Sequence, residues 1–180
     1  MSKENLYTHN HIRTFQGHYI NPCEPDPEMI SIYDIAHALS MQPRFGGHLP
    51  CFYSVAQHCV LACQYVTNGN KLSALMHDAS EAYLIDVPRP VKYQLPNYKG
   101  VEDQLMTVIA RKFGFQWPLA DEVKKADEHM LRREWECLML RGDVGEPIIV
   151  WGQEQAKGRF LDMYFSLKGK QSNEQPTTTY

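Results

Sequence analysis

No run of about 18 consecutive apolar residues occurs in this chain, so the sequence carries no candidate membrane-spanning helix. Met1-Ser2-Lys3-Glu4-Asn5 leads into no signal-peptide pattern, and the expected setting is the cytoplasm, with no membrane partner. An excess of positive charge is missing too. The 18 Lys and Arg residues stand against 21 Asp and Glu, and the net charge of −3 gives no long-range field toward nucleic acid. Stable nucleic-acid binding is therefore not expected, and a small-molecule substrate is. Cysteine is scarce and poorly placed for a zinc finger. There are five (Cys23, Cys51, Cys59, Cys63 and Cys137), and the Cys59/Cys63 pair has no second Cys or His cluster at finger spacing. Reduced thiols packed as small apolar side chains are the expected state, which agrees with a cytosolic compartment.

What is present is ordinary in bulk. With 180 residues, 43% apolar and 22% charged, the chain reads as one soluble domain large enough to enclose a buried site. Residues 1–30 form an irregular N-terminal arm, with Thr14 to Ile20 as a short strand or hairpin arm and three prolines (Pro22, Pro25, Pro27) marking a loop. Ser31 caps a helix bearing Ile32, Ile35, Ala36 and Leu39 at helical spacing, which ends before Pro43. Further helices are expected over 53–67, 71–85, about 100–113, 119–141 and about 153–168. The polar stretch beyond residue 168 reads as a frayed, disordered tail. No internal repeat is visible. The architecture expected is an all-α bundle of about six helices over residues 31–168.

Within that bundle, His58 and Asp127 each interrupt an apolar helical stripe, and His77 and Asp78 stand side by side. A single buried histidine is more often a hydrogen-bonded core residue than a ligand. A carboxylate on an apolar stripe is harder to excuse, because burying it unpaired costs several kcal/mol. Two such intrusions and an adjacent His-Asp pair compensate one another around a cation. Imidazole and carboxylate together suit a borderline divalent ion such as Zn, Mn, Co or Fe, and four protein ligands leaving room for water suit a catalytic site.

Glu81 follows His77 by four residues and Asp78 by three, one face of a continuous helix, where a carboxyl group can serve as acid or base. Asp86 falls where that helix breaks at Pro88, a position that also suits a plain turn residue. Arg44, Lys92 and Lys124 are the cations nearest these segments. Each alone is more often a surface charge, and together they make phosphate binding an even proposition.

Arg44-Phe45, Ser54-Val55-Ala56-Gln57-His58, His77-Asp78-Ala79-Ser80-Glu81 and Asp86-Val87-Pro88-Arg89-Pro90-Val91-Lys92 follow one another in a recognisable order. The pattern resembles the HD-domain phosphohydrolases, in particular 5′-deoxynucleotidases of the YfbR type. It is similar as well to the small phage and prophage group of the YfdR type and the phage dATP triphosphohydrolases. The resemblance covers about residues 12–165. It implies that His58, His77, Asp78 and Asp127 bind a divalent metal ion (Zn, Mn, Co or Mg) and that Glu81 is the catalytic acid or base. It further implies that Arg44 holds the 5′-phosphate end, that Asp86 fixes water or sugar, and that Lys92 and Lys124 bind phosphate. Phe45 stands where the 5′-deoxynucleotidases have Trp, so the sugar contact is altered in size. Gly46-Gly47-His48 resembles the prophage branch, with a structural hydrogen bond the expected role of His48.

The resemblance implies hydrolysis at the 5′ α-phosphate of a 2′-deoxynucleotide. A dNTP such as dATP is the leading substrate, releasing triphosphate, and a dNMP the alternative. An oxygenase with two irons would need more histidines near the pair, and only His48 is at hand. A non-catalytic nucleotide-binding protein of the same fold is disfavoured by the four ligands standing together with Glu81. A cyclic-dinucleotide phosphodiesterase is disfavoured because no Gly-Tyr-Pro segment exists. The sequence leaves base preference, native metal and self-association open.

Overall fold

The Ser31 hydroxyl accepts a hydrogen bond from the Tyr33 amide and starts α1 (Ile32–Met41), as the capping signal requires. In the computed structural model, which describes residues 10–142 and 146–173, the chain is predominantly helical. The N-terminal arm forms a small antiparallel hairpin, β1 (Ile12–Arg13) and β2 (Tyr19–Ile20), paired Ile12 to Ile20 and Arg13 to Tyr19. Gly17 closes its turn at φ 88°, a conformation that favours glycine. Ile20 then drops into the core at 1% exposure.

α2 (Val55–Ala62), capped by Ser54, is the central element and packs against α1 and against three later helices. It is shorter than the 53–67 span expected, because Cys63–Tyr65 tightens into a 3-10 turn. The helix expected over 71–85 is broken. α3 (Lys71–Leu75) and α4 (Glu81–Leu84) are separated by turns in which the Ala79 amide bonds Met76 O and the Glu81 amide bonds Asp78 O. The physical cause lies in the side chain of His77. Its Nδ1 donates to Ala74 O at 2.7 Å, the carbonyl that a continuous helix would offer to the Asp78 amide.

A short α5 (Arg89–Lys92) carries the proline-rich segment, and α6 (Tyr98–Phe113) ends at Gly114 in the left-handed conformation. α7 (Asp121–Glu134) runs into a π-helical turn, Trp135–Met139, where a plain helix to 141 was expected. α8 (Gln153–Asn173) packs on α1, α2 and α3 and runs past the expected end at 168. One helical glycine at 169 costs about 1 kcal/mol against alanine and does not stop it. Residues 174–180 of the expected tail, and residues 1–9 of the arm, lie outside the described residues.

Apolar side chains of α1, α2, α3, α6 and α8 meet in one core, with Ile35, Leu39, Val55, Leu75, Leu105, Ile109 and Phe160 fully buried. Gln57, next to His58, fixes the far end of the chain to this core. Its amide donates to Ile149 O and accepts from the Trp151 amide, both at 2.8 Å.

Candidate metal centre and its cavity

His58 sits in the most deeply buried helix, between Gln57 and Cys59, and is 0% exposed. A buried imidazole needs partners for both ring nitrogens. Nδ1 lies 2.6 Å from Oε1 of Glu134, and Nε2 lies 3.1 Å from both His77 Nε2 and Asp127 Oδ1. His77, held by its bond to Ala74 O, turns its Nε2 to within 3.2 Å of Asp78 Oδ2 and 3.6 Å of Asp127 Oδ1. Asp78 Oδ2 is also 3.8 Å from His58 Nε2. The four residues marked in the sequence converge. They do so because the chain breaks at 76–80, and the expectation that His77, Asp78 and Glu81 share one continuous helical face is wrong in its geometry.

Tautomer accounting defines what the cluster can hold. A carbonyl only accepts, so Nδ1 of His77 carries the hydrogen. Glu134 is held below the ordinary carboxyl range. Burial alone would raise it, and His58 and Arg44 outweigh that, so Nδ1 of His58 donates to it. Both Nε2 atoms of the neutral rings therefore face each other with lone pairs at 3.1 Å. Such an arrangement needs a proton or a cation between them. Burial pulls His77 down, but Asp78 beside it keeps the ring well above its ordinary range, and His58 is raised as well, by Glu134 and Asp127 against burial. Asp78 is lowered despite burial, chiefly by His77, and Asp127 is lowered further by its bonds to His58 and His77. Three ionised carboxylates (Asp78, Asp127, Glu134) against the single Arg44 leave an excess matching one divalent cation. The donor set of two imidazoles and two carboxylates fits such an ion.

Cys59 Sγ lies within 4.8 Å of ligand atoms of His77 and Asp78. Burial pushes its thiol up to about 11, so it joins the cluster as a neutral group.

Glu134, which the sequence pattern does not single out, is the hub beneath the candidate ligands. Fully buried, it accepts from Tyr53 Oη at 2.7 Å and from Nε and Nη2 of Arg44, each at 3.0 Å, as well as from His58. It lies seven residues after Asp127, two helical turns on the same face. That spacing was the available signal, masked by its charged neighbours Arg132, Arg133 and Glu136.

A cavity of about 720 Å³ opens above the cluster, its floor formed by Arg44, Asp78, Glu81 and Asp127. Arg44 is 8% exposed, and its Nη1 faces Asp78 Oδ2 at 3.7 Å. Glu81 is buried with Oε2 unpartnered among the described residues. Burial, Asp78 and Asp86 hold its carboxyl well above the usual range. Asp86 also lines the cavity and is raised, by burial first. Two features hold this edge. Gln42 donates to Glu81 O at 2.9 Å and accepts from the Asp86 amide at 3.0 Å. Ile85, between them, adopts φ 67°, a strain of about 1–3 kcal/mol for a β-branched residue.

The remaining marked residues divide. Lys92 lines the cavity, its Nζ 2.7 Å from Glu102 Oε1 and over the Tyr98 ring. Phe45 lines it as well, at φ 56°, in contact with Trp135. Lys124 does not. It is exposed one turn before Asp127 and pairs with Asp121 at 3.2 Å, while Arg132 and Arg89 supply the cavity's further cations. His48 is exposed, with its ring against Gly46, and makes no side-chain hydrogen bond among the described residues. The structural role expected for it is not seen, and it stands outside the metal cluster.

No helix among the described residues is long and apolar enough to cross a membrane. No family model matches the chain. An uncharacterized protein of Rhodobacter capsulatus is 32% identical over 124 residues, 63% of each chain. The uncharacterized protein YfdR of Escherichia coli is 46% identical over 123 residues, 68% of this chain and 69% of YfdR. At that identity and coverage, the chain belongs to the same family as YfdR.

Proposed function

We propose that this protein is a metal-dependent HD-domain phosphohydrolase acting at the 5′ α-phosphate of 2′-deoxynucleotides, with dNTPs, dATP foremost, as substrates. The observation that carries the reading is the pair of lone-pair Nε2 atoms of His58 and His77, faced by Asp78 and Asp127 on the floor of a cavity that also holds Glu81 and Arg44. A divalent ion held by these four residues would acidify a water molecule and polarise a phosphoryl oxygen. Arg44 presents its remaining N–H groups to the α-phosphate, steadied from behind by Glu134. Glu81, protonated by its burial, is placed to give its hydrogen to the departing oxygen and recover one from the attacking water. Asp86, fixed by Gln42, orients water or the sugar hydroxyl. Lys92, Arg89 and Arg132 offer charge to the outer phosphates.

A 5′-deoxynucleotidase acting on dNMPs is the second reading, and one observation favours it. Lys92 and Arg132 are each already paired, with Glu102 and Glu128, which reduces the positive charge free for a triphosphate. Metal-loaded protein incubated with all dNMPs, dNTPs and ribonucleotides distinguishes the two. Triphosphate as product supports the first reading and inorganic phosphate from dNMPs the second. No turnover of any nucleotide with a full metal complement overturns both.

A further inference from the structure

Two residues on the upper wall of the cavity combine an irregular backbone with an aromatic ring. Phe45 occupies the left-handed region at φ 56° and ψ 31°, followed by Gly46 at φ 59°. Trp135 opens the π-helical turn that follows α7, and such turns occur often at functional sites. Their rings lie 6.1 Å apart, tilted at 46°, and the Arg44 guanidinium sits over the Phe45 ring at 5.6 Å from its centre. Trp135 is 46% exposed, whereas Trp151 is buried under Arg159. Trp135 keeps an ordinary helical φ and ψ at the end of α7, just before the helix widens, whereas an ordinary φ at residue 45 would redirect the Phe45 ring. The two rings give an apolar face to a cavity whose floor is polar. Leu131 and Pro88 extend that apolar wall.

We propose that Trp135, backed by Phe45, is the stacking platform for the nucleobase, and that it makes the site prefer purines. This rests on the deoxynucleotide reading above. The floor groups grip the α-phosphate, and the aromatic wall, with Arg132 beside it, offers the apolar surface on which the base can lie. Stacking needs only a π face, and a purine's two fused rings cover more of the indole than a pyrimidine does. The tilt between the two rings leaves no parallel slot, so the base lies on Trp135 and meets Phe45 at its edge.

The test uses the full chain and products as well as substrates. Deoxyadenosine, which undergoes no hydrolysis, should quench tryptophan fluorescence of the wild type, and deoxycytidine should do so more weakly. Trp135→Ala should raise Kd for deoxyadenosine and KM for dATP or dAMP by about 5- to 100-fold, the range of base–aromatic stacking, while kcat changes less. Hydrolysis of 2-deoxyribose 5-phosphate, which has no base, should be unaffected by the substitution. Trp135→Phe keeps a ring, and it should lose the quench yet stay within about threefold of wild-type affinity, a loss well short of the alanine variant's. Should Trp135→Ala fail to fold, disappearance of the quench in Trp135→Phe together with purine preference in the wild type supports the platform. Equal KM for purine and pyrimidine substrates, or a deoxyadenosine quench that persists in Trp135→Phe, overturns it. If no nucleotide is hydrolysed yet deoxyadenosine still quenches through Trp135, the hydrolase reading fails and the base site stands.

Discussion

Beneath the floor of the cavity, His58, His77 and Glu134 are buried together with Arg44, which reaches the floor itself, and each side chain meets a partner at both ends. At the rim, Lys92 pairs with Glu102 and Arg132 with Glu128, and outside the cavity Lys124 pairs with Asp121, each reaching solvent. The same charge types behave differently in the two places. Buried groups cannot relax or find water when a partner is lost, so a single change costs several kcal/mol. Exposed pairs are screened and rearrange, and are worth about 0–1 kcal/mol. The floor is therefore where geometry is specified, and the rim is where a ligand's charge can be met by side chains that swing.

Removing a floor ligand should have the largest effect. His77→Ala or Asp78→Ala should abolish both activity and metal content, and elemental analysis finding a full complement in Asp78→Ala would remove that residue from the site. In the wild type, chelation should inactivate, with Mn or Co restoring activity better than Ca, which prefers six to eight oxygen ligands. Metal affinity should rise with pH, because the proton shared by the two histidines must leave before the cation binds. Affinity independent of pH would contradict the tautomer accounting.

Glu81→Gln comes next, lowering kcat by about two or more orders of magnitude with little change in substrate binding. It should also stabilise the metal-free protein, and the sign follows from its titration. The folded chain keeps the Glu81 proton at pH values where the unfolded chain, titrating near 4.5, has released it. Stability therefore falls as pH rises from that value toward the raised folded one, a loss the glutamine variant escapes. Thermal melts at about pH 4 and pH 7 should show a gain in Tm only at the higher pH. A gain at both would point to packing instead.

Glu134→Gln keeps the shape but not the charge, and should weaken metal binding by roughly 10- to 100-fold, the range for an outer partner of a ligating histidine. Metal affinity unchanged from wild type would reduce Glu134 to a packing role. The rim should give the smallest effects. Lys92→Ala should cost dATP affinity about tenfold and dAMP affinity less, since a charge-assisted bond to an outer phosphate is lost. Lys124→Ala should stay within about threefold for both, as befits an exposed ion pair. A large loss at Lys124 would break the distinction between floor and rim.

Much of this floor was legible before any coordinates. His58 and Asp127 stood out because polar residues on apolar helical stripes need a reason, and that argument depends only on desolvation. Ser31 announced its helix through a hydroxyl that satisfies a free amide, while the matching cap at Ser54 emerged only from the structure. The break at 76–80 was hidden, because turns bonded three residues apart keep nearly the spacing of a helix, and the interaction that selects them is a ring bonding its own backbone. Glu134 was hidden for the opposite reason. Between Arg132, Arg133 and Glu136 it looks like one more surface charge, and its burial is decided by what packs above it and not by its neighbours in sequence. Lys124 shares a helical face with Asp127, yet an exposed acid three residues earlier holds it away from the cavity.

Glu134 has a further consequence for how the protein is made. His58 lies 76 residues, and Arg44 90 residues, upstream of the carboxylate that satisfies them both. At about 5–20 residues per second, a ribosome needs roughly 4–15 s to bridge the shorter interval. For most of that time the nascent chain carries a guanidinium and an imidazole destined for burial with Asp78 already made beside them but without the Glu134 carboxylate that both bond. The N-terminal helices cannot close over them at acceptable cost, so the site marks a late step of folding. A cation held by His58, His77, Asp78 and Asp127 could be loaded only after α7 emerges, so its binding would report that the chain has been made as far as Glu134.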